Sequence, residues 1–316
     1  MKVVFIGPLW YGGTTLQRMQ TMQDLGYEVM SVDTEPQYVQ NKQRQFFYRV
    51  MRKLFGPLDL AGVNHDIIPT VKNHAVNVLW IEGGVTISAK TLKTVRILSP
   101  KTIIAGYCPD DMAAKHNQSR AFLNGLPLYH IYFTTKSYGV KELKVLGAQQ
   151  VFFIGNAYDP NTHRPVTLSE EEKKQYGEKV GFIGDYELER AQFIFYLAQQ
   201  GVPVRVWGAN WNKKCKLNHP NMKIEGRPLW GDEYAKAICA FDINLAFLRK
   251  INRDFQTQRS IEIPACGGFM LAERTHEHLE LFEEGKEAEF FETKEELLKK
   301  VRYYLDHEDE RKRIAR

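Results

Sequence analysis

Cysteine is scarce in this sequence, and its four copies, Cys108, Cys215, Cys239 and Cys266, lie too far apart for a disulfide framework. No C-x-x-C pair occurs, so the spacing offers no zinc site, and the thiols are expected to be reduced, as in a cytosol. No apolar run approaches the ~20 residues needed to span a bilayer. The opening Met1-Lys2-Val3-Val4-Phe5-Ile6-Gly7 is too short and too soon broken by glycine for a secretory leader. It reads as a buried first strand, and the expected location is cytoplasmic. A dense basic stripe interleaved with aromatics, usual in nucleic-acid binders, is missing, so no nucleic-acid partner is expected. So are the G-x-G-x-x-G dinucleotide fingerprint and the Lys-Ser/Thr that completes a P-loop. What is present is 43% apolar against 26% charged residues, enough to bury a core. At about 150 residues per domain, 316 residues suggest two domains.

Charge is unevenly spread. Residues 1–160 carry 17 Lys and Arg against 11 Asp and Glu, whereas residues 161–316 carry 26 against 27. A positive excess confined to the first half suits an anionic contact there, such as an acidic acceptor. Ordinary solvated lysines are the competing reading.

Both halves repeat one rhythm: a short apolar run, a glycine-containing turn, then a stretch at helical spacing. The runs fall at 3–6, 28–32, 76–81, 102–107, 130–134 and 150–154, then at 179–183, 202–207, 222–224, 243–247 and 268–271. Helices are predicted at 15–25, 188–199, 232–240 and 294–307. Buried strands alternating with helices imply parallel sheets joined by right-handed crossovers, hence two doubly wound α/β domains. Turn residues from Gly155 to Pro160 close the first domain, 1–160. Residues 161–178 are polar, with no buried face, and read as a linker with a short surface helix; 179–316 form the second domain. Such sheets bind ligands beyond the carboxyl ends of their strands, so residues just after strands are the candidates.

After the first strand, Gly12 and Gly13 precede a helix whose N–H groups and dipole would suit an anion, although glycines there also simply make a turn. The first strand of the second domain runs into Gly184-Asp185, with Arg190 in the next helix. A guanidinium at that position can fork onto a diphosphate, or pair with Glu187. The stretch from Arg253 to Leu271 holds Asp254 and Glu262, two acids separated by seven residues, which could grip a ribose and a hexose. Cys266-Gly267-Gly268 then ends the helix.

Residues 180–313 resemble the C-terminal nucleotide-binding domain of group 1 glycosyltransferases, in the branch of spore-maturation CgeB-like proteins. The resemblance lies in Arg259-x-x-Glu262-x-x-Ala265-Cys266-Gly267-Gly268, in Glu280 to Lys286, and in the tail from Glu295 to Leu305. The first half resembles the same superfamily in Gly12-Gly13, in Leu25-Gly26-Tyr27-Glu28-Val29 and in the closure from Gly155 to Pro165. The resemblance implies a GT-B architecture: two Rossmann-like domains facing a cleft, with a nucleoside diphosphate sugar as donor substrate and no cofactor or metal. It matches Glu262 to the ribose-gripping glutamate, Asp254 to an acid near the donor sugar, and Arg190 to a phosphate-binding lysine. Gly12 and Gly13 match the loop closing over the diphosphate, and Gly226-Arg227-Pro228-Leu229 the segment lining the base. Two departures stand out. Gly184-Asp185 replaces the usual Gly-Arg, leaving Arg259 as the substitute cation, and Asp254 is shorter than the usual glutamate. The chain also ends at Arg316 within a helical tail, where relatives continue, so it reads as shortened.

Asp110 and Asp111 occupy a loop after a first-domain strand where relatives place a sugar-contacting histidine. They are candidates to hold an acceptor hydroxyl or to act as general base; two acids would also suit Mg²⁺, and turn formation is the plainer alternative. Glu82 also ends a strand and either faces the cleft or caps a helix. Residues 41–55 mix Lys42, Arg44, Arg49, Arg52 and Lys53 with Phe46, Phe47, Val50, Met51, Leu54 and Phe55. A helix with its apolar side in the core is the favoured reading; rest on anionic lipid, as a peripheral membrane contact, is the less favoured one. The expectation overall is a glycosyltransferase moving a hexose to an unknown acceptor with retention. The alternatives are a nucleotide-sugar epimerase of the same fold and a non-catalytic sugar-nucleotide binder.

Overall fold

Twelve strands form two separate six-stranded sheets in the computed structural model, which describes residues 1–43 and 45–316. The first sheet contains β1 (Lys2–Gly7), β2 (Glu28–Asp33), β3 (Val78–Glu82), β4 (Ile103–Cys108), β5 (Ile131–Thr134) and β6 (Val151–Phe153). The second contains β7 (Glu178–Ile183), β8 (Val204–Trp207), β9 (Met222–Ile224), β10 (Phe241–Ala246), β11 (Met270–Glu273) and β12 (Glu289–Phe291). Every pairing is parallel, in the orders β2-β1-β3-β4-β5-β6 and β12-β11-β10-β7-β8-β9. The strand order therefore reverses between β1 and β3 in one sheet and between β7 and β10 in the other. Successive crossovers leave in opposite directions at these points and open a crevice at the strand ends.

The chain divides into two compact units, Met1–Gly155 and Asn156–Arg316. The segment expected to link them belongs to the second. His163 and Tyr176 within it are buried, contrary to the expectation of a stretch with no buried face. Its helix, Glu170–Tyr176, opens on a capping box between Ser169 and Glu172.

Period-two alternation divides the second unit's core between the two faces of its sheet. Val180, Phe182, Val204 and Val206 pack with Ile194 and Leu197 on one side; Ile183, Trp207 and Ala246 pack with Tyr234 and Ile238 on the other. In the first unit Val4, Ile6, Leu79, Ile81 and Ile104 meet Ile67, Leu92 and Phe122. Predicted helices 188–199 and 232–240 are observed as Leu188–Gln199 and Asp232–Ala240. Strand β12 went unforeseen because it has three residues and starts on Glu289, a buried acid that Lys300 and the Tyr304 hydroxyl satisfy. Burial pushes the Cys108 and Cys266 thiols up to about 12, so neither is a reactive thiolate near neutral pH.

Residues 41–55 depart most from expectation. They contribute to two helices, Gln37–Gln43 and Phe46–Phe55, with Arg44 outside the described residues. The apolar side of the second helix faces solvent, not the core: Phe46 is 80% exposed, Phe47 73% and Leu54 69%, and only Tyr48 is buried.

Beside β12, Arg274 and Lys300 both bind Glu284, and Arg274 holds its carboxyl down at about 2, well below its ordinary 4.5. A depressed folded-state pKa adds stability above pH 4.5 that is lost as pH falls toward 2. For this partly exposed pair the contribution is about 1 kcal/mol after solvent screening. Thermal melts of Glu284→Gln should therefore lie below wild type at pH 7 and converge with it at the acid end. Parallel curves over that range would refute the assignment.

Candidate functional site

Three arginines gather where the second sheet's order reverses. Arg190 lies in the first turn of Leu188–Gln199, just after β7, and is only 5% exposed. Its Nη1 donates to the Asp185 carbonyl at 3.2 Å, and Nη2 lies 3.6 Å from Glu187 Oε1. Its Nε–H is buried and has no hydrogen-bond partner among the described residues. The same Glu187 oxygen accepts from Arg249 Nε at 3.1 Å, so one carboxylate serves two guanidiniums. Arg259 opens the helix Arg259–Ala265, and its Nε donates to the carbonyl of Ile183, the last residue of β7. Among the described residues its Nη groups have no hydrogen-bond or ion-pair partner. Burial, with Arg259 and Arg249 adding to it against the opposing Glu187, pulls the Arg190 pKa down to about 10. A guanidinium lowered in this way is short of negative charge, which a multi-oxygen anion would supply.

Glycine allows the loops here to approach. A Cβ on Gly208, whose φ is 158°, would stand 1.9 Å from the Gly184 carbonyl oxygen. The loop after β8 thus lies directly on the loop after β7. Asp185, noted in the sequence as a departure from the usual Gly-Arg, accepts from the Ala209 N–H at 3.3 Å and so ties the same two loops together.

Glu262 lies one turn into Arg259–Ala265, buried, with both carboxylate oxygens held. The Tyr234 hydroxyl donates to Oε2 at 2.5 Å, and His163 Nε2 stands 3.5 Å from Oε1. Because His163 Nδ1 accepts from the Asp159 N–H at 3.0 Å, the ring proton sits on Nε2, facing the carboxylate. The His163 and Tyr234 rings meet edge to face at 5.4 Å. Burial and then Glu262 raise the Tyr234 pKa well above its usual value, so it stays a donor. Each oxygen keeps a further lone pair for a ligand hydroxyl.

The loop leading into this helix is firmly held. Gln256 accepts from Asn156 at 3.2 Å and donates to Glu277 at 2.9 Å. The Ser260 hydroxyl donates to His278 Nε2 at 2.7 Å, because His278 Nδ1 donates to the Glu273 carbonyl, and burial keeps that ring neutral. Asp254 is buried in the loop and accepts from the Arg249 N–H at 3.3 Å. Arg253, just before it, takes the left-handed conformation at φ 50°.

The predicted base-lining segment is more occupied than its sequence suggests. Leu229 is buried in the core with Trp207 and Tyr234, so its side chain cannot line a ligand, and only main chain is left there. Arg227 forks onto Glu233 at 2.8 and 2.9 Å and stacks over Trp207.

In the first unit a cavity of about 280 Å³ opens at the β1/β3 reversal, lined by Pro8, Thr15, Tyr48, Arg52, Glu82, Gly84 and Asp110 among others. Gly12 adopts φ 79°, and Gly13 precedes the helix Thr14–Asp24 without a side-chain cap, leaving first-turn N–H groups for solvent or ligand. Asp110 reaches the cavity. Asp111 does not: it is buried, and its Oδ1 accepts from Ala113 and Ala114 N–H at 3.2 Å, so it holds its own turn rather than a substrate. Glu82 is likewise spoken for, by Arg18 at 2.7 and 3.0 Å and the Trp80 indole at 2.8 Å.

His163, Tyr234 and Arg249 escaped the sequence reading. The first sat in an apparent linker, the second on a helix face indistinguishable from core, and the third in no motif. Among the described residues no three His, Cys, Asp or Glu side chains are grouped to hold a metal.

Residues 190–316 match a family model described as glycosyl transferase-like. No curated protein sequence matches the chain significantly. Among solved structures, Anabaena HepE in complex with UDP-glucose superposes with a TM-score of 0.65 at 13% identity, covering 100% of this chain and 92% of that one. Sucrose-phosphate synthase from Thermosynechococcus elongatus gives 0.65 at 9% identity, with the same coverage. A candidate UDP-N-acetylglucosamine 2-epimerase from Listeria monocytogenes gives 0.60 at 13%, covering 100% and 90%. The fold is thus the α/β, GT-B-like fold of glycosyltransferases, with two Rossmann-like parallel-sheet units.

Proposed function

We propose that this chain is a glycosyltransferase that binds a nucleoside diphosphate sugar on its second unit and moves the hexose to an acceptor. The observation that carries the reading is the meeting of Arg190, Arg249 and Arg259 at the reversal of the second sheet, with Arg259 opening the helix that carries the buried carboxylate of Glu262. The arginines would take the diphosphate and neutralise it as it leaves, without a metal. Ribose hydroxyls would donate to the open lone pairs of Glu262, and Asp254 would take a sugar hydroxyl. Gly184 would let the diphosphate approach the main chain, while Arg227 and the backbone around Leu229 would border the base. Within the first unit, the N–H groups after Gly12 and Gly13 would offer a place for an anion, and Asp110 would hold a hydroxyl-bearing ligand in the β1/β3 cavity.

Transfer with retention breaks the bond from the anomeric carbon to phosphate and forms the bond to the acceptor oxygen on the same face. The acceptor proton passes to a departing phosphate oxygen, so no side-chain base is required. The UDP-glucose complex of HepE supports a uridine nucleotide as the donor. The CgeB-like branch rests on the resemblance carried by the stretch around Glu262, by Glu280 to Lys286 and by the tail from Glu295 to Leu305.

An epimerase is the second reading, favoured by the Listeria neighbour. Thermal-shift screening of UDP, GDP, dTDP and CMP with their sugars should pick out one nucleoside diphosphate, because a ligand bound only to the folded form raises its stability. Incubation with the matching sugar nucleotide should then slowly release nucleoside diphosphate and unaltered hexose. An isomerised sugar would establish the epimerase, and binding with no turnover, with or without acceptors, would leave a binding protein.

A further inference from the structure

We propose that the helix Phe46–Phe55 docks the protein on an anionic lipid surface. Phe46, Val50 and Leu54 repeat every four residues, and Phe47 lies beside them, so the four form one stripe along the helix. On a globular helix that stripe faces the core. Here all four side chains are exposed, together with Phe55, while Tyr48 anchors the opposite side. Monomeric proteins seldom leave a contiguous apolar stripe in water without an occupant for it.

Charge selects the occupant. Between Glu35 and Asp59 the sequence has no acidic residue but five basic ones, among them Arg49 and Lys53. By helical spacing these two run together along one flank of the stripe, and both are exposed. Among the described residues neither has an ion-pair partner. An apolar stripe edged by cations is what an interfacial helix presents to acyl chains and anionic headgroups. A second copy of this chain packed antiparallel through the stripe fits poorly, since that two-fold contact would bring the Arg49 and Lys53 rows of both copies together. Among the described residues no helix is long and apolar enough to cross a membrane, so the contact would lie along the surface.

Sedimentation with phosphatidylcholine vesicles containing about one third phosphatidylglycerol tests this, with pure phosphatidylcholine vesicles as the comparison. Wild type should pellet with the anionic vesicles and not with the neutral ones. Phe47→Ser/Leu54→Ser and Arg49→Gln/Lys53→Gln should each weaken binding at least about tenfold, the second pair because each basic residue near such a surface adds about 1 kcal/mol. These positions are exposed, so an unchanged melting temperature would confirm that the variants fold. The proposal is overturned by failure to pellet at low salt, by equal binding to neutral vesicles, or by variants that bind like wild type. It is equally overturned if light scattering shows a dimer that Phe47→Ser/Leu54→Ser dissolves, which would make a second copy the occupant.

Discussion

Glu262→Gln is expected to lower kcat/KM for the sugar nucleotide at least about 100-fold while leaving the protein folded. Hydrogen bonds to a charged acceptor contribute roughly 1.5–3 kcal/mol each, and loss of one such bond to ribose, with weakening of the other now that its acceptor is neutral, accounts for the drop. Glutamine keeps the volume and one acceptor oxygen, so the Tyr234 hydroxyl retains a partner. Alanine would strand both Tyr234 and His163 and confuse lost function with lost stability. Tyr234→Phe should act more gently, raising KM for the donor about tenfold with little change in kcat, because it loosens the carboxylate without removing it. A kinetic profile unchanged in Glu262→Gln would mean that the carboxylate belongs only to the packing around His163 and Tyr234.

Arg190→Met should abolish detectable turnover of the sugar nucleotide yet leave the melting temperature equal to wild type or higher. The folded-state pKa of Arg190, about 10, lies below its ordinary 12.5. The protonated form is therefore disfavoured by folding, and at neutral pH the charge costs stability, a cost relieved only as pH rises through 10. The buried, unbonded Nε–H adds about 1–3 kcal/mol to the same side. Methionine fills much of the space without either cost. Such opposition between stability and activity is expected of a residue retained for a ligand. If Arg190→Met melts markedly lower and keeps its turnover, the guanidinium is a structural ion-pair partner of Glu187. Calorimetric melts beside a nucleotide-release assay distinguish the two.

The candidate site was only partly legible in the sequence. Arg190, Arg259 and Glu262 stand at fixed distances from strand ends and helix starts, so a one-dimensional pattern pointed to them, and the structure brings the two arginines together. Asp111 and Leu229 satisfied the same patterns, yet the structure directs one into its own turn and the other into the core. A motif locates a residue along the chain, whereas local packing sets the direction of its side chain.

Periodicity and turn residues alone determined the alternation of strands and helices and the parallel sheets, because backbone geometry imposes those repeats within a few residues of chain. Contacts between distant segments required the folded molecule. His163 reaches Glu262 across about a hundred residues, Tyr234 across 28, and Arg249 meets Glu187 across 62. The outward turn of Phe46 and Phe47 was of the same kind. An apolar stripe reads identically whether it faces a core or solvent, and which it faces depends on what the remainder of the chain packs against it.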